Sequence, residues 1–318
     1  MNQKPIASSA AVTAIIVHGG CGNVYDAPMP PEKRAAYESK LLEAVQAGYA
    51  VLQAGKSSLD AIQASILLLE DSPLFNSARG AVFSNEERVE LDASIMDGAA
   101  FKAGAVAGVR TIKNPILAAR QVMEHSEHVM MVGTGAETFA AARGLDLVDP
   151  SYFELEERRA QIKAVKLAES QGLASAETKL GTVGAVAVDQ AGRLAAGTST
   201  GGMLNKRYGR VGDSPIIGAG TYANHVCAVS GTGHGEFFIR HTVAHDIAAL
   251  MEYKGLTVEE AVQHVIHEKV GLAGGQGGVI AVDAQGSIGI TYSTKGMFWA
   301  YMKDGQAPQV NVDNIIIE

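Results

Sequence analysis

At 318 residues, 47% of them hydrophobic and 19% charged, the chain is long enough for one large domain or two small ones around a substantial core. That balance excludes an intrinsically disordered or membranous chain, and a net charge of −8 argues against a nucleic-acid partner, whose phosphates require clustered Lys and Arg. The basic run of note, Arg158-Arg159 with Lys163 and Lys166, is interleaved with Glu154, Glu156, Glu157 and Glu169 and reads as a solvated segment.

The first residues carry one Lys and then an apolar run over 10–17, which ends in His18-Gly19-Gly20 without a small-residue cleavage site. It reads as a first strand and not as a signal peptide. No stretch reaches the length of a transmembrane helix, so a cytoplasmic protein with no membrane partner is expected. Cys21 and Cys227 are too few for a disulfide framework and read as reduced, buried thiols. Apolar residues at Tyr37, Leu41, Val45, Tyr49 and Leu52 predict a helix over 32–54, stopped by Gly55. A second helix begins at Ser57 and Asp60 in capping-box spacing and runs to Glu70, where Ser72-Pro73 forbids continuation.

Val89, Leu91, Ala93 and Ile95 alternate with polar neighbours as a strand, and residues 103–109 supply its partner across the Asp97-Gly98 turn. Residues 114–124 read as a helix with Pro115 at its first position, followed by a short strand over 129–132 and a short helix over 136–142. From 154 to 181 the chain is polar and charged and, although it could form a helix, reads as a mobile linker. After Thr182 comes hairpin grammar: a strand to Val188, a turn at Ala191-Gly192 and a strand from Leu194. Strands over 216–219 and 226–230, a helix over 236–253, a capped helix near Thr257 and Glu260, and strands over 278–282 and 288–292 follow. Helices and strands come in blocks without strict alternation, which favours an α+β fold of two packed sheets covered by helices.

The segment Lys179-Leu180-Gly181-Thr182-Val183-Gly184 sets a Gly-Thr bond after a polar stretch and directly before a strand. Taken alone, Gly-Thr starts a strand and nothing more. Read chemically, hydroxyl attack on the Gly181 carbonyl would turn the amide into an ester, and water would release Thr182 as a new N-terminus. Such a threonine is a nucleophile with its own base, because an α-amine has an ordinary pKa of about 7.7 to 8.0.

Several motifs occur in one order: His18-Gly19-Gly20, Pro73-Leu74-Phe75-Asn76, Leu91-Asp92-Ala93-Ser94-Ile95-Met96-Asp97-Gly98, Gly181-Thr182-Val183-Gly184, Thr198-Ser199-Thr200-Gly201-Gly202, Gly209-Arg210-Val211-Gly212-Asp213-Ser214-Pro215 and Thr232-Gly233. With them the chain resembles the plant-type asparaginase and isoaspartyl peptidase family of N-terminal nucleophile hydrolases, over nearly its whole length. The resemblance implies a four-layer αββα sandwich made as a single-domain precursor, 1–318. It implies cutting between Gly181 and Thr182 into an α subunit, 1–181, and a β subunit, 182–318, assembled as a dimer of αβ heterodimers. The implied substrates are L-asparagine and β-aspartyl dipeptides, with no organic cofactor.

By resemblance Thr182 is the nucleophile, Thr200 the hydroxyl beside it, and Thr232 with the Gly233 N–H the donors to the tetrahedral oxyanion. Asn76 joins Thr232 and Gly233 among the substrate-binding residues. Arg210 and Asp213, three apart on a glycine-rich loop, would on a surface form a weak ion pair. A guanidinium fork suits an α-carboxylate and a carboxylate suits an α-ammonium, so together they recognise a free aspartyl-like head group. The Gly231-Thr232-Gly233-His234-Gly235 loop has glycines at the wrong spacing for a dinucleotide fingerprint. His234 is given no catalytic role. His241 with His245, His125 with His128 and His264 with His267 lack the further ligands of a zinc site.

The resemblance also implies that backbone carbonyls of Leu69, Glu70, Ser72, Phe75, Ser77 and Arg79 hold a structural sodium ion, and some members use potassium for activation. This loop departs from the family in placing Ala78 where glycine is usual, a strain of about 1 kcal/mol if that position needs positive φ. Rival readings are a glycosylasparaginase, a protein-cutting threonine aspartase, and an uncleaved binding protein for amino acids or anions. The Arg210 and Asp213 pair counts against the second, because it demands free α groups.

Overall fold

The computed structural model describes residues 12–22, 29–173 and 181–312. Twelve strands fall into two sheets among these residues. The larger orders β12 (Gln309–Asn311), β11 (Gly296–Lys303), β1 (Ala14–Gly22), β5 (Val183–Val188), β6 (Leu194–Thr200), β2 (Leu91–Asp97), β3 (Lys102–Val109) and β4 (Met130–Val132). Its neighbours run antiparallel except β3 with β4. The smaller, fully antiparallel sheet orders β10 (Ile288–Tyr292), β9 (Gly277–Asp283), β8 (Cys227–Gly233) and β7 (Thr221–Ala223).

Strand β1 is buried along its whole length and explains the layering. Side chains alternate along a strand. Ile15 and Val17 join the core formed with helices α1 (Pro31–Gln53), α2 (Ser58–Glu70) and α3 (Pro115–His125), while Ala14, Ile16 and Cys21 join the core shared with the smaller sheet. Strands β1, β5 and β6 pack on β8 and β9, and the smaller sheet in turn meets α7 (Val243–Lys254) and α8 (Val258–Gln263), which continues into a π-helical turn at His264–Gly271. Expected caps form: Ser57 accepts from the Asp60 N–H, and Thr257 with Glu260 closes a full capping box.

The predicted hairpins β2–β3 and β5–β6 are present, and both cysteines are free and buried. Several segments differ from expectation, two of them for reasons visible in the hydrogen bonding and packing. The segment expected to be a mobile linker contains a helix, α5 (Glu156–Ser170), which follows α4 (Gly133–Ala142). It is docked by buried Ile162 and by Arg158, which donates to the carbonyls of Gly80 and Leu74; residues 174–180 lie outside the described residues. The helix expected over 236–253 is two, α6 (Gly235–His241) and α7, broken by Thr242 in the left-handed region at φ 46°. The N–H groups of Ala244 and His245 donate instead to the carbonyls of Ala219 and Gly218, so tertiary bonds replace a helical turn. His241 and His245 therefore do not share one helix. Residues 216–219 form a loop rather than a strand, and β11 and β12 close the far edge beyond β1, where no strand is predicted. Among the described residues no helix is long and apolar enough to cross a membrane.

Candidate active site

The β5–β6 pairing builds the site. Val183 stands opposite Ser199 and Gly184 opposite Thr198, so Thr182, just before β5, meets Thr200 at the end of β6. Their hydroxyls are 3.0 Å apart and both residues are buried. The Gly181 carbonyl oxygen collects three donors: Thr182 Oγ1 at 2.7 Å, Asn76 Nδ2 at 2.9 Å and Thr200 Oγ1 at 3.3 Å. Asn76 is itself fixed, donating to the Gly202 carbonyl at 2.7 Å and accepting from Val82 N at 3.0 Å. The Gly202 N–H in turn donates to Thr200 Oγ1 at 3.0 Å. Gly201 is required here, since a Cβ would lie 2.5 Å from Asn76 Oδ1. A nucleophilic hydroxyl thus lies beside a carbonyl already polarised by side-chain donors.

Beside Thr182, a small pocket is lined by Gly181, Thr182, Thr200, Arg210, Asp213 and Gly233 among others. Asp213 is buried, and burial pushes its carboxyl up to about 7 against the pull of its own backbone hydrogen bond and of Arg210. Its Oδ2 has no hydrogen-bond partner. Arg210 places two donors on Glu236, at 2.9 and 3.0 Å, a bidentate pair that orients the guanidinium. Glu236 was not foreseen: it stands 26 positions from Arg210, and nothing local links them. The pair holds Glu236 below the usual carboxylate range.

Thr232 and Asn76 do not line this smaller pocket. Thr232 is buried, and its hydroxyl accepts from Cys21 N at 3.4 Å, which leaves its own O–H to donate. Asn76 lines a larger cleft with Gly19, Gly20, Phe75 and Gly181. The two spaces meet at Gly181.

In the loop after α2, the carbonyls of Phe75 and Ser77 each accept one backbone N–H, which leaves each a second lone pair, whereas the Leu69 carbonyl at the end of α2 faces the N–H groups of Asp71 and Ser72. Ala78 keeps positive φ at 38°, so the backbone retains the glycine-like shape and places the strain on alanine. Glu70, fully buried, accepts from Ile116 N and Ser199 Oγ; burial pushes its carboxyl to about 8. No cluster of His, Cys, Asp or Glu suited to a metal occurs among the described residues.

Sequence reasoning gives His18 no role beyond its motif. It is fully buried, bonded through Nε2 to Ser230 Oγ at 2.9 Å, and burial lowers its pKa to about 3, so the ring is neutral. Its burial had no local signal, because Ser230 lies on the other sheet.

A buried hydroxyl set against the carbonyl that precedes it, on a two-sheet frame, defines the class: an amide-cleaving hydrolase. The chain belongs to the asparaginase family, whose model matches residues 11–312. It is 48% identical over 305 residues to the isoaspartyl peptidase of Escherichia coli (strain K12), covering 94% of this chain and 95% of that one. It is 42% identical over 307 residues to the plant-type L-asparaginase of Pyrococcus abyssi, covering 92% and 97%. It is 41% identical over 309 residues to the probable isoaspartyl peptidase/L-asparaginase 2 of Arabidopsis thaliana, covering 90% and 94%.

Proposed function

We propose that the chain is a precursor which cuts itself between Gly181 and Thr182 and then hydrolyses L-asparagine and the side-chain amide bond of β-aspartyl dipeptides. The observation that carries this is the Thr182 hydroxyl 2.7 Å from a Gly181 carbonyl oxygen that also accepts from Asn76 and Thr200. The names of the relatives supply the substrates. In the cut, Thr182 Oγ bonds to the Gly181 carbonyl carbon, the C–N bond breaks, and the hydroxyl proton ends on the departing nitrogen. Water then cleaves the ester, leaving Gly181 as a carboxylate and Thr182 with a free amine.

In turnover, that amine takes the Oγ proton as the oxygen attacks the substrate side-chain carbonyl. Thr232 Oγ and the Gly233 N–H stabilise the oxyanion, a role for which a single donor is worth about 3 to 4 kcal/mol. Ammonia, or an amino acid, leaves with the proton, and water hydrolyses the β-aspartyl ester to aspartate. Arg210 takes the substrate α-carboxylate and Asp213 its α-ammonium; the partnerless Asp213 Oδ2 supports the second assignment.

The same reading includes a four-layer αββα sandwich, a dimer of αβ heterodimers and a cytoplasmic enzyme. It includes a sodium ion held by carbonyls of Leu69, Glu70, Ser72, Phe75, Ser77 and Arg79, neutral oxygen donors suited to a hard cation that would brace the loop. Intact mass under denaturing conditions tests the central claim. Two chains, ending at Gly181 and beginning at Thr182, with release of aspartate from both substrate classes, are expected. One uncut chain after long incubation, or a cut chain without either activity, overturns it.

A further inference from the structure

Between the two sheets, where packing is mostly apolar, an imidazole and four hydroxyls lie buried together. His18 on β1, Ser94 on β2, Thr198 on β6, Thr221 on β7 and Ser230 on β8 have no exposed surface. Ser230 Oγ bridges His18 Nε2 at 2.9 Å and Thr198 Oγ1 at 2.7 Å. Thr221 donates to Thr198 Oγ1 at 2.6 Å, and Ser94 Oγ lies 2.8 Å from Thr221 Oγ1. Five strands from both sheets thus meet through polar side chains at a place where apolar packing would stabilise the fold at less desolvation cost.

The network ends on two carbonyls. Ser94 donates to the Ser214 carbonyl at 2.6 Å, and Thr198 to the Gly220 carbonyl at 3.1 Å. These residues bound the loop that joins Asp213 to β7. Asp213 rests on the same end of that loop: Gly220 N donates to the Asp213 carbonyl at 3.1 Å, and a Cβ on Gly220 would lie 2.7 Å from Asp213 Oδ2. The loop carries a carboxylate that lines the pocket, and its two ends are tied through the network to β2 and to β6, the strand that ends in Thr200.

We infer that Ser94, Thr198, Thr221 and Ser230, anchored by His18, are positioning residues that hold the Asp213 carboxylate at the height needed to receive an α-ammonium group; this rests on the reading of Asp213 above. None of the five touches substrate. They act by fixing the Ser214 and Gly220 carbonyls, so their loss moves Asp213 while Arg210, held by Glu236, stays in place.

The test uses the mature wild-type enzyme with Ser94→Ala, Thr221→Val, which keeps the shape without the hydroxyl, and Thr221→Ser, which keeps the hydroxyl. Calorimetry measures binding of L-aspartate and of succinate, which lacks only the α-amino group. Ser94→Ala and Thr221→Val are expected to weaken L-aspartate about 5- to 10-fold and raise KM for L-asparagine equally, the size expected for one lost hydrogen bond, with kcat within about 2-fold. Succinate binding stays within about 2-fold, Thr221→Ser behaves as wild type, and self-cutting is complete throughout. Equal weakening of aspartate and succinate by the variants, or a fall in kcat at constant KM, overturns the inference and leaves the function standing. A wild-type protein that does not prefer aspartate to succinate removes the Asp213 reading itself, and the inference with it. Should Thr221→Val fail to fold, Ser94→Ala carries the comparison.

Discussion

Replacing Asn76 should slow the self-cut far more than it weakens the fold. As Thr182 Oγ becomes the attacking atom it ceases to donate to the Gly181 oxygen, which leaves Asn76 Nδ2 at 2.9 Å and the longer contact from Thr200 at 3.3 Å to stabilise the oxyanion. One such donor is worth about 3 to 4 kcal/mol, or roughly 100- to 1,000-fold in rate. Asn76→Ala also strands the Val82 N–H and the Gly202 carbonyl, a stability cost of about 1 to 3 kcal/mol. Asn76→Asp separates the two effects, since it keeps an acceptor for Val82 N and replaces only the donor, turning a carboxylate toward the Gly181 and Gly202 carbonyls. The assay follows the loss of intact chain by mass after expression and dilution, with thermal unfolding measured in parallel. A folded Asn76→Asp protein that cuts itself within about threefold of the wild-type rate would refute the assignment of Asn76 as the main donor.

With a free-protein pKa of about 7, Asp213 is protonated in more acidic solution. Only the carboxylate receives an ammonium, so L-aspartate binding should strengthen as pH rises through about 7 while succinate binding lacks that limb; parallel profiles would contradict it. The stability sign is opposite: a carboxyl raised from 3.8 binds more protons folded than unfolded, so its contribution declines as pH rises from about 4 to 7. Gly184→Ala should destabilise by about 1 to 3 kcal/mol, because its Cβ would meet Ser230 Oγ at 2.0 Å and His18 Nε2 at 2.4 Å; an unchanged melting temperature would count against the close packing. Ala78→Gly relieves about 1 kcal/mol of left-handed strain but gives up a buried methyl worth about 0.8 kcal/mol and costs backbone entropy of about 0.5 to 1 kcal/mol. A net change within about 1 kcal/mol of zero is expected in denaturant titration, and a gain above about 2 kcal/mol would show that the strain is larger than φ suggests.

Much of the site was legible because its geometry is local. Thr182 and Thr200 lie equally far on either side of Ala191, so the turn at Ala191-Gly192 and the period of two already bring them together, as the register Val183 to Ser199 requires. The capped starts of α2 and α8 were legible for the same reason. What escaped depends on partners distant in sequence. Residues 297–302 are almost continuously apolar, with no alternation to mark a strand, and β11 acquires its place only by pairing with β1 at the opposite end of the chain. Helix α5 has a polar surface and one fully buried side chain, Ile162, so composition suggested a linker; its docking comes from Arg158 reaching two loop carbonyls. Glu236 and Ser230 become partners of Arg210 and His18 only once the smaller sheet is laid on the larger.

On the proposed reading, maturation and turnover draw on different surroundings of the Thr182 hydroxyl. Asn76, which donates to the Gly181 oxygen, lines the larger cleft, whereas Thr182, Thr200, Gly233, Arg210 and Asp213 line the smaller pocket, and Gly181 borders both. Before the cut the Thr182 nitrogen is an amide and cannot act as a base, so the uncut chain has donors for its own carbonyl but no amine for a substrate. After the cut the Gly181 carbonyl is no longer joined to Thr182, and the new amine stands beside the hydroxyl it must deprotonate. Variants should therefore sort accordingly: Asn76→Asp delays cutting, yet the fraction that does cut should retain kcat for L-asparagine within a few-fold. Arg210→Ala should cut at the wild-type rate and lose substrate affinity by about 100-fold, the cost of a bidentate charge-assisted contact. Measuring both quantities on both variants decides the matter, because a single shared oxyanion site would make the two defects travel together.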